Sequence, residues 1–220
     1  MSSVQTHPEL DRDDADDARV RPSLHMTEGE FVDWCGEDTR AEWVDGEVIY
    51  MAPESGDHSD LAWWLQTILQ LFVRQGDLGV VRGPNFVIRL GNQRRRRVPD
   101  VIFMAKSRLQ LLNPTHFEGA PDLCVEIVSW DSQSRDRREK YLEFERAGVR
   151  EYWIIDPLSR TVEGYALGDD QKFHLIPADA DERLLSRVLS GFFLRQAWLF
   201  GTSALPNVVN TLREMGVEPH

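Results

Sequence analysis

The chain has 220 residues, of which 41% are hydrophobic, and its formal net charge is −12 at pH 7. This length predicts one folded domain with extensions, and the chain has no run of about 18 apolar residues that could form a membrane helix. The acidic balance argues against a general nucleic-acid coat protein, because that kind of binding depends on neutralising phosphates.

The N-terminal segment is acidic and polar. Residues 1–24 hold five aspartates and almost no apolar residues, so we expect a disordered acidic arm and not a secretory signal. Residues 25–205 are predicted to form the folded domain, and residues 206–220 a C-terminal tail. The two cysteines, Cys35 and Cys124, form no CxxC pattern and lie among apolar residues. This predicts buried reduced thiols and a cytoplasmic protein.

Periodicity and turn residues predict the elements of the domain. In chain order they are a short helix with a Thr27–Glu30 capping box, a hairpin over 41–51 with an Asp45–Gly46 turn, a helix over 58–76, strands over 80–90, 98–105 and 122–129, a helix with Ser132 or Ser134 as N-cap and Gly148 at its end, a strand over 151–157 and a hairpin over 160–177. The order helix–strand–strand–strand–helix–strand predicts an α/β or α+β mixed sheet with flanking helices. The strand–helix–strand unit at 122–156 predicts a right-handed parallel crossover.

A basic strip covers residues 82–108, where eight Lys or Arg side chains accompany a single acid, Asp100. On an acidic protein, such a strip predicts either a focused polyanion site or a solvated loop. Charge alone leaves both alternatives open.

Glu126 lies in the apolar stretch 123–128, which has the pattern of a strand covered on both faces. A carboxylate there must be solvated, paired or metal-bound, because burying it unpaired is costly. Asp122 lies about 13 Å away along the same strand, at roughly 3.3 Å per residue, which is too far to share an ion. Asp100 begins another strand, and neighbouring strands are about 4.8 Å apart. Asp100 and Glu126 are therefore predicted to hold one divalent ion, although a turn role for Asp100 stays open.

A metal-assisted hydrolase also needs a cation near the charged transition state. Lys140 is the candidate, because it lies in the helix that follows the Glu126 strand. Asp136, four residues earlier, has the spacing of a surface ion pair with Lys140 on the same helix, and this alternative stays open.

Five segments resemble, in the right order, the Uma family of putative restriction endonucleases. They are EWVDGEVIYMAP with a following histidine, VPDVIFM, APDLCVEIVS, a Lys-Tyr pair and AGVREYWIIDP. The family is assigned to the PD-(D/E)XK nuclease fold, and the resemblance covers most of residues 40–200. It implies a restriction-endonuclease-like domain over residues 25–205, with the element order given above and a hairpin at each end.

The resemblance also implies site residues. Asp100 and Glu126 match the acidic residues that bind Mg²⁺ or Mn²⁺. The lysine of the superfamily normally lies two residues after the glutamate, where this chain has Val128, so Lys140 is implied as its substitute.

Further positions match the family less specifically. Glu42 and His58 are implied as accessory ligands or proton-handling groups, although a hairpin pairing role and a helix N-terminal role stay open for them. Tyr141, Tyr152 and Trp153 also match, and buried aromatic residues at such spacing are predicted to be core.

The function that the resemblance implies is metal-dependent hydrolysis of DNA phosphodiester bonds. Because the arginine run leads directly into Pro99-Asp100, we predict that Arg94, Arg95, Arg96 and Arg97 guide the DNA backbone to the site. Two other functions stay open: an inactive nuclease-fold module that binds nucleic acid or organises an assembly, and a hydrolase of small phosphorylated substrates. Cutting both strands of a duplex would favour a two-fold homodimer.

Overall fold

The computed structural model describes residues 24–36, 39–129, 135–201 and 204–218, with the backbone alone for 135–137. The predicted arm (1–24) lies outside the described residues except for Leu24, and so do Ser132 and Ser134, the predicted N-caps, and the side chain of Asp136.

Short strands and helices alternate along the described chain. The strands are β1 (Leu24–His25), β2 (Ala41–Val44), β3 (Glu47–Tyr50), β4 (Gly79–Arg82), β5 (Val87–Leu90), β6 (Arg95–Arg97), β7 (Val101–Ala105), β8 (His116–Glu118), β9 (Leu123–Ile127), β10 (Glu151–Asp156), β11 (Thr161–Leu167), β12 (Phe173–Leu175), β13 (Arg183–Leu185) and β14 (Phe193–Arg195). The helices are α1 (Glu28–Trp34), α2 (Gly56–Gln75), α3 (Arg135–Ala147), α4 (Gln196–Phe200) and α5 (Val208–Glu214).

The central sheet has the strand order β12-β11-β10-β9-β7-β4. Its β9 and β10 strands are parallel, and α3 connects them, whereas β7 is antiparallel to both β9 and β4. The chain order α2, β4, β7, β9, α3, β10 is the predicted order of helix, three strands, helix and strand. The predicted fold class, a mixed sheet with flanking helices, is therefore confirmed.

A second sheet has the order β1-β3-β2-β6-β5-β8. The prediction of one strand over 80–90 is wrong, because β4 belongs to the central sheet and β5 to this second sheet. Gly83, Pro84 and Asn85 separate them: proline cannot donate to a strand ladder, and Asn85 has a φ of 72°. The chain therefore leaves one sheet here and enters the other.

Two local predictions in the N-terminal part of the domain are confirmed. The hydroxyl of Thr27 accepts from the Glu30 N–H, and the Glu30 side chain accepts from the Thr27 N–H, which is a capping box. Asp45 and Gly46 turn the β2–β3 hairpin with φ angles of 53° and 102°, as a two-residue turn with two positive φ values requires. The β2 strand, which carries Glu42, pairs with β3 on one side and with β6 on the other.

The faces of the central sheet alternate along each strand. One face, which includes Val101, Val125 and Trp153, packs against α2. The opposite face, which includes Ile102 and Cys124, packs with side chains of α3 and of the second sheet. Since Glu126 follows Cys124 by two residues, its side chain lies on the face covered by α3.

The ends of the domain pack on this core. Gly148 ends α3 with a φ of 82°, in the left-handed conformation of a helix C′ residue. In the predicted tail, the carbonyl of Pro206 accepts from Trp64 Nε1 at 2.8 Å, and Leu212 of α5 is fully buried beside α2.

Cys124 is buried and Cys35 partly so, and both are free thiols. Within the described ranges, no helix combines the length and apolarity needed to span a bilayer.

Candidate active site

Asp100 and Glu126 come together where β7 and β9 pair. In the antiparallel register Val101 pairs with Val125 and Ile102 with Cys124, so one further step places Asp100 opposite Glu126. The Oδ2 atom of Asp100 accepts from the Ile127 N–H at 2.7 Å. This hydrogen bond ties the Asp100 carboxylate to the strand that carries Glu126.

Glu126 carries the perturbed carboxyl of the site. Burial raises its pKa to about 8, the negative charges of Asp100 and Glu42 add to the increase, and the positive charge of Lys140 opposes it. Near neutral pH the side chain therefore holds a proton unless a cation takes its place. A carboxyl in such an environment is characteristic of functional sites.

Lys140 reaches Glu126 from α3. Its Nζ lies 3.1 and 3.2 Å from the two Glu126 oxygens, and 3.4 Å from Oε1 of Glu42. Val128, at the position where the superfamily has its lysine, is buried in the core on the same face of the sheet. The ammonium group thus comes from α3, the helix that covers the face of the sheet on which the Glu126 side chain lies.

Glu42 occupies a hydrogen-bonded position in β2. Its Oε1 accepts from the Val98 N–H at 3.0 Å, and its Oε2 accepts from Arg97 at 2.6 Å. Burial acts to raise the pKa of Glu42, but the charges of Lys140 and Arg97 outweigh it and hold that pKa below its usual value. Glu42 is therefore an anion that lies between the two cations.

Three arginines of the run form β6, and they engage carboxylates from several elements. Arg97 is buried, and its Nε and one terminal nitrogen donate to the two oxygens of Glu143, each at 2.8 Å. Arg95 also donates to Glu143, at 2.8 Å, and Arg96 to Glu28 at 2.8 Å. The side chain of Arg94 is 66% exposed and lies 3.7 Å from its nearest carboxylate partner. The four arginines predicted to guide DNA thus differ strongly in their access to solvent.

His58 lies in the first turn of α2, and its Nε2 is 3.0 Å from Oδ1 of Asp100. Burial acts to lower the pKa of His58, but the hydrogen bond and charge of Asp100 and the charge of Glu54 outweigh it and raise that pKa. Nδ1 of His58 is buried and has no hydrogen-bond partner among the described residues. In the neutral ring whose Nε2–H faces Asp100, Nδ1 would carry the lone pair that can bind a ligand.

The donor groups fit a hard divalent cation. One ligand atom from each of Glu54, His58 and Asp100 lies within 4.8 Å of the others, and ligands that are each 2.0–2.6 Å from one ion can be at most about 5 Å apart. Carboxylate oxygens suit Mg²⁺ and Mn²⁺, and an imidazole nitrogen favours the transition metal. Glu126 is not a member of this group; it lies across the sheet register from Asp100 and contacts Lys140.

Sequence reasoning missed two residues at the site. Glu54 precedes α2 within a turn, where an acid is common, and nothing in its spacing connects it with Asp100. Glu143 lies three residues after Lys140, on the same side of α3. The sequence alone indicated for it only a charged helix surface.

The mixed sheet, its helix order and the group of Asp, Glu and Lys side chains define a protein of the restriction-endonuclease-like fold. The chain belongs to the Uma2 family, since the family model, described as "Putative restriction endonuclease", matches residues 29–197. The chain is also similar to the crystal structure of a putative nuclease belonging to DUF820 from Anabaena variabilis, with a TM-score of 0.67 and 22% identity over 80% of this chain and 97% of that one. No curated protein matches the chain. The predicted family and fold class are thus confirmed.

Proposed function

We propose that the protein is a divalent-metal-dependent endonuclease that hydrolyses DNA phosphodiester bonds. The observation that supports this most strongly is the contact of Lys140 with Glu126, at 3.1 and 3.2 Å. The family's glutamate thus has a lysine beside it even though Val128 occupies the usual lysine position. Membership of the family described as "Putative restriction endonuclease" supports the same chemistry.

Each residue would have a distinct role in this reaction. Asp100 and Glu126 would hold Mg²⁺ or Mn²⁺, and such an ion lowers the pKa of water and polarises a phosphate. Lys140 would orient the attacking water or neutralise charge that develops on the phosphoryl oxygens. His58 and Glu54, beside Asp100, would serve as accessory ligands or hold a proton.

DNA would approach over the exposed end of the arginine run. Arg94 is the best placed of the four arginines, because its side chain is 66% exposed. Arg97 is buried against Glu42 and Glu143, so its contribution to DNA binding would be indirect. The backbone contact that the sequence predicts for all four arginines therefore stays a prediction, and Arg94 is the residue on which to test it.

A plasmid-nicking assay tests the proposal. With Mg²⁺ or Mn²⁺, we expect the wild type to convert supercoiled plasmid to nicked or linear DNA. Cleavage should stop when EDTA removes the metal. Glu126→Gln should abolish cleavage, and Lys140→Met should slow it by about a hundredfold, the usual cost of removing one stabilising donor. Lys172→Met is the control, since that lysine is 64% exposed and its partner Glu145 also accepts from the Phe173 N–H.

Three outcomes would count against the proposal. Cleavage that survives in Glu126→Gln would mean that the site is elsewhere or that another nuclease is present. A wild type that binds metal but cuts no DNA would favour an inactive nuclease-fold module, whereas release of phosphate from small esters would favour a hydrolase of small substrates.

A further inference from the structure

We propose that Arg97 and Glu143 are positioning residues, which hold α3 so that the amine of Lys140 stays beside Glu126. This inference rests on the proposed function for the role of Lys140, but the contacts that carry it are independent of the metal. It assigns to Arg97 a structural task in place of the direct contact with DNA that the sequence predicted.

Lys140 needs other residues to hold it in position because it lies on a helix and not on the Glu126 strand. Val128 follows Glu126 by two residues, and a lysine there would be held by the strand itself. Lys140 belongs instead to α3, and it carries its charge on a flexible four-carbon stem. The position of its Nζ therefore depends on how α3 is fixed against the two sheets.

Arg97 supplies the link between β6 and α3. Its Nε and one terminal nitrogen each donate at 2.8 Å to separate oxygens of Glu143, which is a bidentate pair. Glu143 lies three residues after Lys140, on the same side of the helix. The Arg97 side chain is only 2% exposed, so water competes little for these hydrogen bonds. The planar guanidinium also fixes direction, which a lysine at this position could not do.

The same guanidinium reaches Lys140 by a second route. Its remaining nitrogen donates to Oε2 of Glu42 at 2.6 Å, and Oε1 of Glu42 lies 3.4 Å from Lys140 Nζ. Asp100 follows Arg97 by three residues along the chain. The metal-ligand segment and the lysine helix are therefore joined through one buried guanidinium.

An experiment must distinguish positioning of Lys140 from mere stabilisation of the fold by the Arg97–Glu143 ion pair. A double substitution can do this. Replacing a buried ion pair by apolar residues of similar volume often keeps or raises stability. The double variant Arg97→Met/Glu143→Leu should therefore fold, while Glu42 keeps its hydrogen bond from Val98. Arg95, which also contacts Glu143, keeps its ion pair with Asp45.

Arg89 and Glu28 provide a matched control. They form a bidentate pair between α1 and β5, the strand next to β6, with nitrogen–oxygen distances of 2.5 and 2.9 Å. Among the described residues, neither side chain contacts Lys140. Arg89→Met/Glu28→Leu removes a bidentate ion pair whose side chains are 32% and 26% exposed, without releasing α3.

The first measurement is cleavage kinetics with thermal unfolding and Mn²⁺ titration alongside. For Arg97→Met/Glu143→Leu we expect kcat to fall about a hundredfold, as misplacement of a reacting group by about 1 Å can cause. KM and Mn²⁺ affinity should stay within threefold of the wild type, as should every parameter of the control. Unchanged kcat in a folded double variant would overturn the proposal. Should the double variant not fold, Arg97→Lys, which keeps the charge and loses the fork, must show the same loss of kcat.

The second measurement does not depend on cleavage. Reductive methylation followed by peptide mass spectrometry reports how accessible each lysine amine is, with exposed Lys172 as the internal reference. Lys140 should react several-fold faster in Arg97→Met/Glu143→Leu than in the wild type or in the Arg89/Glu28 control. An unchanged Lys140 rate would overturn the proposal, whether or not the wild type cleaves DNA. A faster rate in a protein that never cleaves DNA would leave the positioning intact and count against the proposed function alone.

Discussion

Glu126 is a carboxylate inside an apolar strand, and its neighbours explain how the fold accommodates it. Lys140 lies 3.1 Å from one of its oxygens, and Asp100 faces it in the strand register. The raised pKa of Glu126 shows that the protein groups alone do not stabilise the anion fully. A divalent cation between Asp100 and Glu126 would complete the charge balance.

The first prediction concerns pH. Because burial raises the pKa of Glu126 to about 8, a metal ion must displace its proton, so Mn²⁺ affinity should rise about tenfold per pH unit up to that pKa. By the same linkage, the stability that protonated Glu126 gives the metal-free fold is present at low pH and is lost as pH rises through about 8. Calorimetry at pH 6, 7 and 8 checks the affinity. Glu126→Gln should bind weakly with no such slope, and a flat wild-type profile would contradict the prediction.

At the scale of elements, the arginine run shows how far a charge pattern can be interpreted. The sequence correctly marks a dense basic strip, but it cannot show that residues 95–97 form a strand whose partners come from α1, β2 and α3. Those carboxylates are distant in sequence: Glu143, for example, lies 46 residues beyond Arg97. The pairing exists only because the second sheet packs near α3.

A second buried carboxylate fastens another element. Glu151 in β10 is fully buried and accepts from Trp153 Nε1, Ser186 Oγ and the N–H groups of Arg187 and Val188, at 2.6 to 3.0 Å. It thereby anchors the segment between β13 and β14 to the central sheet.

The second prediction tests this anchor. Glu151→Ala leaves those donors without their acceptor, so the free energy of unfolding should fall by about 3 kcal/mol. Urea denaturation measures it, and Glu139→Ala, at an exposed position of α3, should change it by less than about 0.5 kcal/mol. Equal effects of the two substitutions would remove the assigned role of Glu151.

At the scale of the whole molecule, an acidic protein must still attract DNA if the proposed function holds. The net charge of −12 opposes binding, so local positive charge has to supply the attraction. Arg95, Arg96 and Arg97 already form ion pairs with carboxylates of the protein. Arg94, exposed and in the left-handed conformation with a φ of 53°, projects at the turn between β5 and β6.

The third prediction follows from this exposure. Arg94→Asn removes the charge and keeps a residue that tolerates positive φ, so the slope of log affinity against log salt should fall by about one. Arg94→Lys should keep the wild-type slope. Fluorescence anisotropy with a labelled duplex over a range of salt concentrations measures both, and an unchanged slope in Arg94→Asn would exclude this contact.

The sequence by itself determined the local elements and the candidate residues of this protein. Capping boxes, Asp-Gly turns and apolar periodicity act over a few residues, so they predicted α1, the β2–β3 hairpin, α2 and the strand around Glu126. Motif order likewise indicated the family, which the family match confirms. Only the tertiary structure decided that the 80–90 segment divides between two sheets, that Arg97 is buried against Glu143, and that Glu54 lies beside His58. Those arrangements depend on burial and on contacts between residues distant in sequence, which no local pattern encodes.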